Sequence, residues 1–190
     1  MNQRIADMVT TWSLGREVSR ESDKFQIVSY GILLMIETIY KVIILMILGE
    51  IIGALPETIA FLIGFSGLRK NAGGIHMRTS AGCMLSVMFL WIITILCSRV
   101  HILSWIYVVL FFVTVVLVAI YAPCDTINNP IRDVKIRKKK KTYALIYVII
   151  LSTFAYYIGY LGFTPIQNSL VVAMALEGVT IIHKRKELQA

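Results

Sequence analysis

Apolar and polar positions fall into long blocks along this 190-residue chain, and six apolar blocks are candidates to cross a membrane. They run over roughly 27–49, 54–68, 81–98, 102–122, 142–162 and 165–183. A helix needs about 20 residues, within a range of about 17–25, to span the hydrocarbon core. The block at 54–68 is short for this, and the block at 165–183 carries Glu177. Ahead of them, Ile5, Met8, Val9 and Trp12 recur at helical spacing among polar neighbours. That spacing predicts an amphipathic helix over 3–24, lying in the membrane interface and filling most of an N-terminal segment 1–26. The predicted fold class is therefore all-α. It is a polytopic membrane helical bundle with six transmembrane segments and an N-terminal interfacial helix, residues 1–190 forming a single membrane-embedded domain.

Charge orients the bundle. A cytoplasmic N-terminus and six crossings place 1–26, 69–80, 123–141 and 184–190 on the inner side. These segments hold 17 of the 19 Lys and Arg residues; Arg99 falls outside and Lys41 lies within the first span. Cytoplasmic loops carry such an excess, so both termini are expected inside. Composition agrees, since 57% hydrophobic residues and a mean hydropathy of +0.75 exceed what a soluble domain carries. The net charge of +8 is clustered rather than spread, which disfavours nucleic acid as a partner. Residues 1–24 include Asp7, Glu17, Glu21 and Asp23 without an apolar stretch, so a signal peptide is not expected. Cys83, Cys97 and Cys124 have no disulfide framework spacing. With no His-Glu-x-x-His and no paired Cys-x-x-Cys, no metal site is expected.

The polar stretch Arg69-Lys-Asn-Ala-Gly-Gly-Ile-His76-Met-Arg-Thr-Ser-Ala-Gly-Cys83 carries the candidate chemistry. An imidazole that takes a thiol's proton makes a nucleophile of it. On one continuous helix the two side chains would be about 10.5 Å apart along the axis. A hydrogen bond needs about 2.6–3.2 Å. The backbone must therefore fold back between them, which Gly73 and Gly74 permit. Thr79 or Ser80 can cap the third span. With Ser80 as the cap, Cys83 stands at the third helical position, where amides and the helix dipole favour a thiolate. The residues alone leave a plainer reading open, in which Cys83 packs in a span and His76 is a polar anchor.

Other polar residues carry paired readings. Arg69 binds a substrate carboxylate or anchors a cytoplasmic loop. Asp125 orients His76 or closes an Asx turn. Glu37 and Lys41, four apart with the acid first, form an ion pair on one helix face. Glu177 has no partner visible in the sequence. A small transporter or channel with Glu37, Lys41 and Glu177 lining a pathway is the alternative function, and a non-catalytic assembly factor is a third. The run Lys138 to Lys141 is a topology determinant and a contact for anionic lipid.

Arg69, Ala72-Gly73-Gly74, His76 and Cys83, in that order, resemble the active-site motif of the AgrB family of accessory gene regulator proteins. Tyr121-Ala122-Pro123-Cys124-Asp125-Thr126 followed by Pro130-Ile131 resembles that family's second motif, with Cys124 where a small aliphatic residue is expected. The resemblance implies a membrane cysteine endopeptidase of Gram-positive bacteria that cuts an AgrD-like propeptide on its C-terminal side. His76 and Cys83 would be catalytic, with Arg69, Gly73, Gly74, Pro123 and Asp125 in supporting positions. The product would stay as a thioester on the enzyme until a propeptide cysteine closes a thiolactone ring, giving a quorum-sensing signal. Its partners would be the propeptide and membrane lipids, with self-association left open. No cofactor is implied, because a thioester conserves acyl activation. The active site would lie at the cytoplasmic face of the cell membrane.

Overall fold

Apolar blocks built from good helix formers become helices, the form in which a segment in hydrocarbon satisfies its own backbone. A computed structural model describes residues 2–14, 22–73, 79–124 and 133–187. Seven helices are described: α1 (Asn2–Leu14), α2 (Asp23–Ile51), α3 (Leu55–Ala72), α4 (Ser80–Ser98), α5 (Ser104–Tyr121), α6 (Val134–Tyr160) and α7 (Thr164–Glu187). No strand occurs among the described residues. The protein is a polytopic all-helical membrane bundle, as its sequence pattern predicts.

Five helices, α2, α4, α5, α6 and α7, are long and apolar enough to cross a membrane. The helix at the short second block, α3, reaches 18 residues only by including Arg69 and Lys70 in its last turn, and Glu57 stands in its first. Length and composition alone leave it outside that set.

The chain divides into two compact units, Met1–Leu48 and Gly49–Ala190. In the first, α1 covers Asn2–Leu14, and residues 15–21 of the predicted 3–24 helix lie outside the described residues. Ser22 caps the start of α2, accepting from the Phe25 amide at 3.3 Å. The Ser29 hydroxyl donates to Asp7 Oδ1 at 2.5 Å. Ala6 and Thr10 are buried, whereas the apolar row of Ile5, Met8, Val9 and Trp12 is exposed, Trp12 by 88%.

In the second unit α7 is the core. It packs against α3, α4, α5 and α6. Buried residues make up 61% of its span, against 17% for α4 and α6 and 11% for α5. Small residues allow close approach: a Cβ on Gly64 of α3 would lie 3.1 Å from the Leu170 carbonyl and 3.2 Å from Ala173 Cβ. Polar residues on α7 then bind separate elements. The Asn168 amide donates to the Ser98 and Val100 carbonyls at 3.1 and 3.0 Å, and its oxygen accepts from the Tyr107 hydroxyl at 2.5 Å. The Ser169 hydroxyl donates to the Glu57 carbonyl at 2.8 Å.

The start of α6 differs from the expected span of 142–162. Asp133 caps the helix by accepting from the Lys135 amide at 2.8 Å, and Lys138 to Lys141 lie within the helix rather than in a loop. Lysine is a good helix former, so the helix continues beyond the apolar segment.

Candidate active site

The last turn of α3 brings Arg69 and Lys70 to the negative end of the helix dipole. Gly73 ends the helix with φ 80° and ψ −168°, a conformation open essentially to glycine. Its amide donates to the Arg69 carbonyl at 2.9 Å. One residue earlier, the Ala72 carbonyl accepts from the Cys124 amide at 2.8 Å. Gly73 and Cys124 thus form an isolated parallel bridge. A Cβ on Gly73 would lie 2.3 Å from the Cys124 carbonyl oxygen, so glycine is required for the join as well as for φ.

The partner segment of this bridge leaves α5. Ala122 is extended, with φ −81° and ψ 150°, as a residue before proline prefers, and the Ala122–Pro123 bond is cis. Cys124 is buried. Its side chain joins an apolar cluster with Leu68, Ala72, Val118, Ala122, Ala144, Val148, Met174 and Ile181. This thiol packs in the core, and its backbone makes the join. The two motif segments, distant in sequence, therefore meet at Gly73, with Pro123 beside the contact.

Cys83 is placed by the start of α4. Thr79 is the cap, its side chain accepting from the Gly82 amide at 3.1 Å. The Cys83 amide donates to the Thr79 carbonyl at 3.1 Å. With Thr79 rather than Ser80 as the cap, Cys83 stands at the fourth helical position instead of the third, one residue past the position inferred with Ser80 as the cap. Threonine wins because its hydroxyl reaches an amide of the first turn. The Cys83 side chain is partly exposed, in contrast to Cys124.

Glu177 has a partner after all. Arg69 Nη1 lies 4.0 Å from Glu177 Oε2, and the Arg69 guanidinium stands 5.5 Å from the centroid of the Phe65 ring. The Glu177 side chain is fully buried. The Thr180 hydroxyl is 2.9 Å from Glu177 Oε2, while Oε1 has no hydrogen-bond partner among the described residues. Glu37 and Lys41 on α2 pair at 3.6 Å, as their spacing predicts. Each of the three residues grouped as a transport path thus has its own ionic partner.

Gly74, His76 and Asp125 lie outside the described residues. Among those described, no three His, Cys, Asp or Glu side chains gather to hold a metal. Two features escape sequence reasoning: the Arg69–Glu177 pair and the use of the Cys124 backbone. A glutamate inside an apolar span signals that a partner exists. It does not say which of many distant cations supplies it.

The chain matches the accessory gene regulator B family over residues 3–181. It is 28% identical to AgrB-like protein 2 of Clostridium perfringens, covering 88% of this chain and 85% of that protein. It is 28% identical to an AgrB-like protein of Clostridium acetobutylicum, over 78% of this chain and 71% of that protein. With accessory gene regulator protein B of Staphylococcus aureus it shares 25% identity over 84% of this chain and 82% of that one. No solved structure matches the chain.

Proposed function

The chain belongs to the accessory gene regulator B family, and from that premise we propose that it is a membrane cysteine endopeptidase that processes an AgrD-like propeptide. The observation that carries this reading is the backbone join between Ala72 and Cys124. It ties the segment leading into His76 to the segment leading into Asp125, in a chain whose partly exposed Cys83 begins the next helix. A cysteine peptidase needs its base, its thiol and its supporting groups in one place.

His76 takes the proton of the Cys83 thiol as Sγ attacks the scissile carbonyl on the C-terminal side of the peptide to be released. Backbone amides at the start of α4 meet the oxyanion. The tetrahedral intermediate collapses, the C–N bond breaks, and His76 protonates the departing amine. The N-terminal product remains as a thioester on Cys83. A cysteine of the propeptide then attacks that carbonyl, giving its proton to His76 and forming the thiolactone, while Cys83 leaves and is reprotonated. The acyl activation is conserved throughout, so ring closure proceeds without a nucleotide.

Arg69, Gly73, Gly74, Pro123 and Asp125 support this chemistry by shaping the two segments. The site lies at the cytoplasmic face, with both termini inside and α3 completing six crossings. The exposed apolar row of α1 and the lysines at the start of α6 contact lipid. Co-expression with an AgrD-like propeptide, followed by mass spectrometry of the products, tests the proposal. The parent chain should yield a cleaved, cyclised peptide, and Cys83→Ala should yield uncleaved propeptide from the same amount of inserted protein. Cleavage by Cys83→Ala would overturn it.

A further inference from the structure

Resting on the endopeptidase reading, we propose that Glu177 is a positioning residue for the reaction, anchoring Arg69 to α7 and so setting the end of α3 from which the His76 segment departs. Glu177 is a fully buried acid on the most enclosed helix of the second unit. Acids in such positions are costly, and they are retained where they serve function. An ion pair built for stability alone would close both carboxylate oxygens on the arginine fork at about 2.7–2.9 Å. Here only one oxygen faces Arg69, at 4.0 Å, and Oε1 has no partner among the described residues. The contact draws the guanidinium toward α7.

The guanidinium acts on the last turn of α3. The carbonyl of Arg69 receives the Gly73 amide, and the carbonyl of Ala72 receives the Cys124 amide. Within one helical turn, α3 is therefore held by its side chain to α7 and by its backbone to the segment after α5. Phe65, one turn earlier, supports the same guanidinium with its ring. Without the Glu177 charge, the end of α3 loses its ionic tie to α7 and keeps only the apolar packing of Leu68 and Ala72 there, and whatever follows Gly73 inherits the slack. Thr180 holds Glu177 in place from the same helix, its hydroxyl 2.9 Å from Oε2.

A positioning role acts on turnover rather than on substrate affinity, and it acts through Arg69. The full-length chain in membrane vesicles, supplied with an AgrD-like propeptide, is assayed for kcat and KM as the parent, Glu177→Gln, Arg69→Gln, the double variant and Cys83→Ala. Glu177→Gln should keep KM within about two-fold and lower kcat by about 10- to 100-fold, the range expected for a displaced reacting group. The double variant should be no slower than Arg69→Gln, because both substitutions remove one contact. A Glu177→Gln kcat within about two-fold of the parent overturns the proposal, as does a double variant whose loss is the product of the single losses. Should Glu177→Gln fail to accumulate, Glu177→Asp replaces it: one methylene shorter, it draws the carboxylate back from Arg69 and should lower kcat with KM kept, and a loss that multiplies with that of Arg69→Gln overturns the proposal. Cys83→Ala separates the two ideas. If it still cleaves, the endopeptidase reading falls; if it is inactive while the Glu177 variants are normal, only the positioning role falls.

Discussion

Gly73→Ala should disable the enzyme while leaving it in the membrane, and the size of the effect follows from the bridge to Cys124. Two costs arise at once. Alanine must adopt φ 80° and ψ −168°, a region that costs a non-glycine residue about 1–3 kcal/mol. Its Cβ would stand 2.3 Å from the Cys124 carbonyl oxygen, 3.1 Å from the Cys124 nitrogen and 3.2 Å from its carbonyl carbon. All three are backbone atoms, which cannot rotate away as a side chain end can. Relief needs a shift of about 1 Å, enough to break the hydrogen bond from the Cys124 amide to Ala72, worth about 0.5–1.5 kcal/mol. The sum is about 1.5–4.5 kcal/mol, less than the 5–15 kcal/mol that holds a typical fold. The variant should therefore insert and accumulate. A displacement of about 1 Å at reacting groups costs about 100-fold in rate, so cleavage should fall by that order. The assay is co-expression with an AgrD-like propeptide, scoring cleaved product against the amount of membrane-inserted enzyme. Two controls bracket it. Gly31→Ala, where a Cβ meets nothing within 4 Å, should be neutral. Cys124→Ala keeps the donating backbone amide and should remain active. Parent-like cleavage by Gly73→Ala would show that the join can loosen without consequence, and the link between the two segments would lose its catalytic meaning.

His76→Ala, in a Cys97→Ala, Cys124→Ala background, should slow iodoacetamide alkylation of Cys83 near pH 7, because an unassisted thiol is only a few per cent thiolate there; an unchanged rate across pH would remove the imidazole from the activation step. Single cysteines placed in 69–80 and 132–141 should be reached by membrane-impermeant reagents only from the cytoplasmic side, and labelling of either segment from outside would refute the six-crossing, both-ends-in arrangement.

The helices were legible because each apolar block must satisfy its own backbone, and in hydrocarbon only a helix does so within one segment. Their ends were less so. Lys138 to Lys141 read as a loop by charge, yet Asp133 caps them into α6, since lysine propagates a helix as readily as it marks the inner face. Thr79 and Ser80 are equivalent as caps by residue type, and only the geometry of the first turn decides for Thr79. In the site, the glycine pair announced a tight backbone at Gly73, but its reason, the Cys124 backbone, lies far along the chain. Cys124 itself drew attention as a second thiol, whereas its side chain is buried in apolar packing. Arg69 and Glu177 were each visible as a charge in need of explanation. Pairing them requires the packing of α3 on α7, which no local pattern encodes.

The place of α7 in chain order has a consequence for how this protein is made. Helices α3 to α6 leave the ribosome before the helix they pack around. Until α7 arrives, Thr114, Ser98 and the face of α3 around Gly64 have no α7 to cover them, and Arg69 has no Glu177. A nascent chain halted before Thr164 would leave these groups without that cover. The core of the second unit is therefore complete only once α7, the last described helix, lies against α3, α4, α5 and α6.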